Sequence, residues 1–184
     1  MDSSVALWLL SAIVLFWLTG LYNRLMRLRA RTIEVYAELE VQVLLCAEML
    51  TIHVGELPPV ATLDSLNDKG VAEAWRAMQQ SRYAVDIAWG GSRKKSFDVE
   101  DQRKRAETWA ALQAAWDGLL ALPLDTTAGS LLEDLRRDWE SSRQKVKSVQ
   151  EALNSIVESY NNALLEYPAR WVTRMMGFEP CEKI

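Results

Sequence analysis

An uncharged stretch near the start of the chain constrains its fold more than any other feature. No charged residue lies between Asp2 and Arg24, which leaves 21 uncharged residues. At about 1.5 Å per residue a helix of this length spans roughly 31 Å, close to the ~30 Å hydrocarbon core of a bilayer. Lipid offers the backbone no hydrogen-bond partners, so we predict a transmembrane helix and a short external N-terminus within residues 1–21. The predicted anchor and interface residues are Val5, Trp8, Leu15, Phe16, Trp17 and Tyr22.

A cleaved secretory signal peptide is the alternative explanation for this stretch. The residues before the apolar run include Asp2 but no Lys or Arg, so the basic segment that begins a signal peptide is missing. The apolar run over residues 5–18 also exceeds the usual ~7–15 residues, and no Ala-x-Ala-like cleavage site follows it. These features favour an anchor that is retained.

Positive charge follows the stretch directly, and the next acidic residue is Glu34. Because Lys and Arg are enriched on the cytoplasmic side of membrane helices, we predict that the N-terminus lies outside and the C-terminal part in the cytoplasm. Arginines at a helix end also extend back toward the headgroups, which is the simpler explanation of their presence. The residues predicted to set the topology are Arg24, Arg27, Arg29 and Arg31.

The remainder of the chain is acidic. From Glu34 onward there are 17 Lys and Arg against 24 Asp and Glu, after the four arginines and Asp2 are taken from the totals of 21 and 25. Phosphate contacts need a basic surface, so nucleic-acid binding is not expected. The basic runs Arg93-Lys94-Lys95 and Arg103-Lys104-Arg105 are interpreted as solvated faces of a loop and a helix start.

Helical spacing dominates the part after the anchor. Strong breakers fall at Gly55 with Pro58-Pro59, at Gly90-Gly91, from Pro123 to Gly129 and at Pro168, and no strand alternation lies between them. We predict an all-α fold in which the N-terminal transmembrane helix continues into an elongated antiparallel up-down bundle over residues 22–184. The predicted helices span about 22–53, 64–89, 98–122 and 130–167, followed by a short C-terminal segment at 169–178.

Each predicted helix has an inward stripe at three- and four-residue spacing. In the fourth, the positions from Leu135 to Tyr167 alternate steps of four and three, which favours left-handed coiled-coil packing. Pairing within one chain and pairing between two chains both satisfy this pattern. The capping-box pattern Ser130-x-x-Glu133 predicts its start. The inward residues are Tyr36, Leu39, Val43, Cys46 and Leu50; Val71, Trp75, Met78, Val85 and Trp89; Trp109, Leu112, Trp116 and Leu119; and Leu135, Trp139, Ser142, Val146, Val149, Leu153, Ile156, Tyr160, Ala163 and Tyr167.

Segments at both ends of the chain resemble the bacterial LemA family. Tyr22-Asn23-Arg24-Leu25-Met26-Arg27-Leu28-Arg29 resembles that family's Y-N-x-L-x-x-L-R, and Glu40-Val41-Gln42 resembles its D-V-Q. Leu153-Asn154-Ser155-Ile156-Val157-Glu158-Ser159-Tyr160-Asn161 is similar to Y-N-x-A-V-x-x-Y-N, Glu166-Tyr167-Pro168 to the aromatic-Pro step, and Met176-Gly177-Phe178 to the terminal G-F. The chain departs from the family at Leu153 (Tyr in the family), at Glu40 (Asp) and at Val43-Leu44-Leu45-Cys46, where the family has basic residues.

This resemblance implies a single-span protein of the bacterial inner membrane with a helical cytoplasmic domain, and it carries over no catalytic residue. In an up-down bundle the Tyr-Asn pairs of both segments lie near the membrane, so we interpret that end as a docking surface for an unidentified protein, self-association included. Helix packing is the structural alternative. The candidate interaction residues are Tyr22, Asn23, Tyr160, Asn161, Pro168, Trp171, Gly177 and Phe178.

Reactive residue types are scarce. One histidine, His53, and two cysteines, Cys46 and Cys181, exclude His-pair and four-thiolate metal sites. We therefore predict no catalytic residue, no cofactor, no metal and no small-molecule substrate. The function predicted is a membrane-anchored scaffold or adaptor. An accessory subunit of a membrane enzyme or transporter is the second hypothesis, and a carboxylate-based metalloenzyme is the third.

The segment at 169–178 mixes apolar residues with arginines. Two placements fit this composition: the segment lies on the bilayer surface, or it caps the end of the bundle nearest the membrane.

Overall fold

The chain is all-α in the residues that the structure describes. The structure is a computed structural model, and it describes residues 3–54, 69–91, 98–121, 126–166, 170, 173, 177, 178 and 180–183. Four helices account for its regular secondary structure: α1 (Ser3–Val54), α2 (Lys69–Trp89), α3 (Val99–Leu120) and α4 (Thr126–Leu165). The long first helix packs on the fourth, for example through Arg24 and Glu166. The predicted fold class is confirmed at this level.

The first helix continues from the uncharged stretch into the acidic part of the chain without a break. It has 52 residues and contains an 18-residue window with a mean hydropathy of 2.1. By length and composition it is the one described helix able to cross a membrane. Large apolar side chains such as Leu7, Trp8 and Phe16 are exposed along its N-terminal part.

The hydroxyl groups of Ser11 and Thr19 lie within this apolar part. Ser11 Oγ donates to the Leu7 carbonyl at 2.9 Å, and Thr19 Oγ1 donates to the Leu15 carbonyl at 2.8 Å. Each hydroxyl therefore has a partner one turn back on its own helix, and burial in an apolar medium does not leave it unsatisfied.

Helix boundaries agree with the predicted ones to within a few residues, with one clear correction. α4 begins at Thr126, four residues before the predicted start at Ser130. Ser and Glu are tolerated inside helices, so a capping-box pattern does not by itself force a start. At α3, the side chain of Asp98 accepts hydrogen bonds from the backbone of Glu100 and Asp101 and caps the helix. The predicted residues 64–68, Leu122, Tyr167 and most of 169–178 lie outside the described residues.

Contacts divide the chain into two compact units. The first, here called the terminal unit, consists of Met1–Val35 and Ala152–Lys183, and the second, the central unit, is Tyr36–Glu151. This division differs from the predicted boundary after residue 21, which was based on where the membrane ends and stays a prediction.

Apolar stripes form the core of the central unit. The inward residues predicted on α1 and α3 are all buried, as are Trp75, Met78, Val85 and Trp89 on α2, whereas Val71 lies outside the described side chains. Trp139 of α4 lies between two aromatic rings, with centroid distances of 5.9 Å to Trp109 and 5.2 Å to Trp116. Aromatic pairs at such distances stabilise a core beyond their buried area.

Along α4 the buried stripe follows the predicted heptad positions only in part. Leu135, Trp139, Val146 and Leu153 are buried, but Ser142, Val149 and Ile156 are half-buried. Near the end of the helix Val157 is buried instead of Ile156. An undistorted α-helix drifts ~20° per heptad from a strict seven-residue repeat, and a shift of this kind follows from that drift. The left-handed supercoil stays a prediction.

Candidate functional site

The chain's C-terminal tail, here the described residues after α4 (166, 170, 173, 177, 178 and 180–183), contacts α1 where the uncharged stretch ends. The rings of Tyr22 and Phe178 meet edge to face, with centroids 6.3 Å apart and an interplanar angle of 70°. Two residues further along α1, Arg24 Nη1 donates to Glu166 Oε2 at 2.9 Å. Both partners of this ion pair are more than half exposed, so it contributes only about 0–1 kcal/mol and serves mainly to align the segments.

A second contact fixes the tail to α4. Asn161 Nδ2 donates to the Cys181 carbonyl at 2.7 Å, and the Cys181 N–H donates to Asn161 Oδ1 at 3.0 Å. The side chain thus satisfies both polar groups of a backbone unit, as a neighbouring strand would. Cys181 is buried, so these bonds prevent two unsatisfied backbone groups.

Gly177 ends a helical turn within the tail. Its φ is +69°, and the Phe178 N–H donates to the Thr173 carbonyl at 3.1 Å. This combination is the Schellman ending of a helix, in which glycine adopts a left-handed conformation without steric cost. The Gly-Phe step therefore terminates the turn and places the Phe178 ring against Tyr22.

Thr173 connects this turn to α4. It is buried, and its hydroxyl lies 3.2 Å from the Arg170 carbonyl and 3.4 Å from the Leu164 carbonyl. Beside it a cavity of about 530 Å³ opens to solvent. Its lining includes the apolar side chains of Leu164, Leu165, Phe178 and Pro180, together with Asn161 and Arg170.

The predicted interaction residues divide by accessibility. Tyr22 is 40% exposed, Asn23 and Gly177 are exposed, and Phe178 is half-buried. Tyr160 is buried, which makes it a packing residue, and Asn161 is half-buried by the tail. The structure brings Tyr22, Asn161 and Phe178 into one unit; Pro168 and Trp171 lie outside the described residues. The role of all eight candidate residues in docking stays a prediction.

The four arginines after the apolar stretch are exposed, Arg24 in its ion pair with Glu166. The membrane orientation that they were predicted to set stays a prediction.

In the central unit, Arg105 is buried, although the sequence analysis interpreted its basic run as a solvated face. Its side chain is only 4% exposed, and its Nη1 lies 3.4 Å from Oε2 of Glu40, which is 15% exposed. The Arg105 guanidinium carbon lies 5.2 Å from the Tyr36 ring centroid and 5.7 Å from that of Trp89, while Trp89 Nε1 donates to the Arg105 carbonyl at 3.1 Å. A carboxylate and two aromatic faces thus compensate the buried charge.

The solvated interpretation of this basic run was therefore wrong for Arg105, although Arg103 and Lys104 are exposed. Arg105 lies four residues before Trp109, on the inward stripe of α3. That spacing was visible in the sequence, and it was the signal that could have identified a buried cation.

Two observations on the described residues concern reactive and metal-binding side chains. Burial raises the pKa of the Cys46 thiol from 9.0 to about 12, so the thiol stays protonated and unreactive at neutral pH. Within the described part of the chain no group of three or more His, Cys, Asp or Glu side chains is placed to hold a metal ion. The side chain of His53 lies outside that part.

Fold and site together define a class: an all-α helical bundle with one N-terminal helix long and apolar enough to span a membrane. No family model, no curated protein and no solved structure matches the chain. The resemblance to the LemA family thus depends on the short motifs alone and stays a prediction.

Proposed function

We propose that this chain is a single-pass helical scaffold or adaptor of the bacterial inner membrane, of the LemA type, which acts through protein–protein contacts. The observation that carries the proposal is the unbroken α1, whose N-terminal part exposes large apolar side chains while residues such as Leu39 and Val43 pack into a core. Water disfavours exposed apolar side chains such as those of the N-terminal part, and the hydrocarbon of a bilayer favours them. The remaining bundle then lies on the cytoplasmic side, with the N-terminus outside.

The contacts of the tail support a docking surface at the membrane end of the bundle. Tyr22 with Phe178 and Arg24 with Glu166 hold the tail beside the turn of α1 that follows the apolar stretch. Tyr22 and Leu165 remain well exposed there. Exposed aromatic and aliphatic side chains at a fixed position are suited to bind a protein partner or a second copy of the chain.

Binding without catalysis is supported by the chemistry of the described side chains. The Cys46 thiol is kept neutral by its raised pKa. Exposed carboxylates on α4, such as Glu133 and Asp134, lie beside arginines three residues away, at 3.9 and 3.6 Å. Such pairs are typical of a solvated helix face.

An accessory or regulatory subunit of a membrane enzyme or transporter is the second candidate. The exposed side chains of Tyr22 and Leu165 favour it, because they lie next to the end of the apolar stretch, where the cytoplasmic edge of an integral partner would be.

The test uses the full chain expressed in bacterial membranes. We expect it to resist extraction by alkaline carbonate and to keep its N-terminal residues on the mature protein. Release into the soluble fraction, or cleavage near Leu21, would refute the proposal. Affinity capture in mild detergent, with Tyr22→Ala and Leu165→Ser compared with the wild type, then tests the docking surface. A partner, or a tagged second copy, should be lost from both variants but retained by the exposed-site control Arg136→Gln.

A further inference from the structure

The cavity beside the tail lies at the depth of a lipid headgroup layer if α1 spans a membrane as proposed above. Phe178, in its lining, contacts Tyr22, and Leu165, also in its lining, precedes Glu166, the partner of Arg24. Tyr22 and Arg24 are separated by about 3 Å along the helix axis. A bilayer of ~40–45 Å with a ~30 Å core leaves about 5–7 Å of headgroup region on each side. In a chain anchored as proposed, the cavity therefore opens within that layer.

Among the described residues that line this cavity, Arg170 is the one charged side chain. Glu166 is engaged by Arg24, and Arg170 has no carboxylate partner among the described residues. Arg170 is exposed and lines the cavity. A guanidinium group binds a phosphate through two parallel hydrogen bonds, which gives it both affinity and orientation for that group.

Most of the remaining lining is apolar, with the polar side chains of Asn161 and Thr173 beside it. Leu165 is 67% exposed, and Phe178 and Pro180 complete the apolar wall of this cavity of about 530 Å³. An amphiphile fits apolar surface next to a single cation better than a soluble anion does. Its apolar part covers the apolar side chains and removes their surface from water, while its charged part pairs with the cation.

We propose that this cavity binds one anionic phospholipid of the surrounding leaflet, with its phosphate on Arg170 and its acyl ester region against Leu165 and Phe178. The occupant is a lipid because the cavity adjoins the bilayer, where anionic headgroups are concentrated and close. Its binding would fix the tail at the membrane surface, and the inference rests on the proposed membrane anchoring.

The experiment measures lipid retention by native mass spectrometry of the full chain released from detergent micelles that contain phosphatidylglycerol and phosphatidylcholine in equal amounts. We expect one phosphatidylglycerol to be retained in preference to phosphatidylcholine. Arg170→Gln should reduce that preference about tenfold, because a charge-assisted contact to the phosphate is lost. Leu165→Ser should weaken retention of both lipids.

The matched control is Arg27→Gln, an exposed arginine just beyond the apolar stretch that does not line the cavity. Equal losses in Arg170→Gln and Arg27→Gln would reveal a diffuse surface attraction and overturn the site. Displacement of the lipid by excess glycerol 3-phosphate would show a site for soluble phosphate esters, and displacement only by an acidic peptide would show a protein site; both overturn the inference. Carbonate extraction of each variant separates this outcome from failure of the anchor itself.

Discussion

The side-chain amide of Asn161 and the backbone of Cys181 exchange two hydrogen bonds across twenty residues of chain. Among the described residues, no other contact between the tail and α4 uses a side chain to satisfy both polar groups of one residue. This amide therefore holds the tail on α4, together with the Thr173 hydroxyl near the Leu164 carbonyl and the ion pair of Lys183 with Glu158.

Replacing Asn161 by Ala should release the tail. The change leaves the buried N–H and C=O of Cys181 without their partners, which costs about 1–3 kcal/mol. We expect faster hydrogen exchange at the Cys181 amide, measured by mass spectrometry on the full chain. The control is Asn162→Ala, the next residue along, whose side chain is exposed. Equal exchange in the two variants would contradict a positioning role for Asn161.

Gly177→Ala should destabilise the tail through backbone strain alone. The φ of +69° is unfavourable for a residue with a Cβ, by about 1–2 kcal/mol, yet nothing lies within 4 Å of the Cβ that alanine would add. Gly177→Asn should cost less, since asparagine tolerates this conformation. Gly118→Ala is the opposite control: it also meets nothing within 4 Å, but it lies inside α3 and should stabilise by about 0.5–1 kcal/mol. Thermal unfolding of the three variants measures these signs, and a neutral Gly177→Ala would argue against the Schellman ending.

Arg105→Gln should be among the most destabilising single changes in the central unit. It leaves Glu40, which is largely buried, without its cation, and breaking a buried pair in this way costs about 3–5 kcal/mol. Arg105→Lys should also destabilise, because an ammonium group loses the flat stacking on Tyr36 and Trp89.

Two further variants separate charge from packing at this site. Arg103→Gln, two residues away and exposed, should change the free energy of unfolding by less than about 0.5 kcal/mol. The double change Arg105→Met with Glu40→Leu should recover much of the loss, because no charge is then left uncompensated. Denaturant unfolding in detergent measures all four. A double variant no more stable to unfolding than Arg105→Gln would mean that the two side chains are needed for their packing and not for charge balance.

Cys46 should make stability fall at high pH. Burial raises its pKa from 9.0 to about 12, so between these values the folded state keeps a proton that the unfolded state releases. Unfolding is therefore favoured as the pH rises through that window, and the thiol contributes little pH dependence well below pH 9.0. Comparison with Cys46→Ala between pH 8 and pH 11 isolates the effect, because the variant lacks the group that titrates. At pH 8, maleimide labelling of the folded wild type should spare Cys46; rapid modification there would contradict its burial.

Periodicity was enough to predict the helices and most of the core. Residues such as Leu39, Val43 and Leu112 recur every three or four positions, and burial of such a stripe is the main source of helix stability in a folded chain. The unbroken course of α1 followed from the lack of Pro and of polar breakers before His53. Both features depend on local sequence, which explains why they could be derived without coordinates.

Other features depend on pairs that sequence spacing does not connect. Arg105 looked solvated because charge usually indicates a surface position, and only the approach of Glu40, sixty-five residues earlier in the chain, makes its burial tolerable. The same holds for Asn161 and Cys181, whose bonds join a helix to an irregular tail. Tyr160 is buried, as its place on the inward stripe predicted, and the docking role suggested by its motif stays a prediction.

The tryptophans fall into two groups whose fluorescence reports on different surroundings. Trp8 and Trp17 are exposed on the apolar part of α1, whereas five others are buried in the central unit: Trp75, Trp89, Trp109, Trp116 and Trp139. Emission from the intact chain thus mixes a signal from the surrounding amphiphile with a signal from the interior. Quenching by brominated lipid would report insertion through Trp8 and Trp17, and exchanging both for Phe would remove most of that contribution and leave the signal of the buried interior.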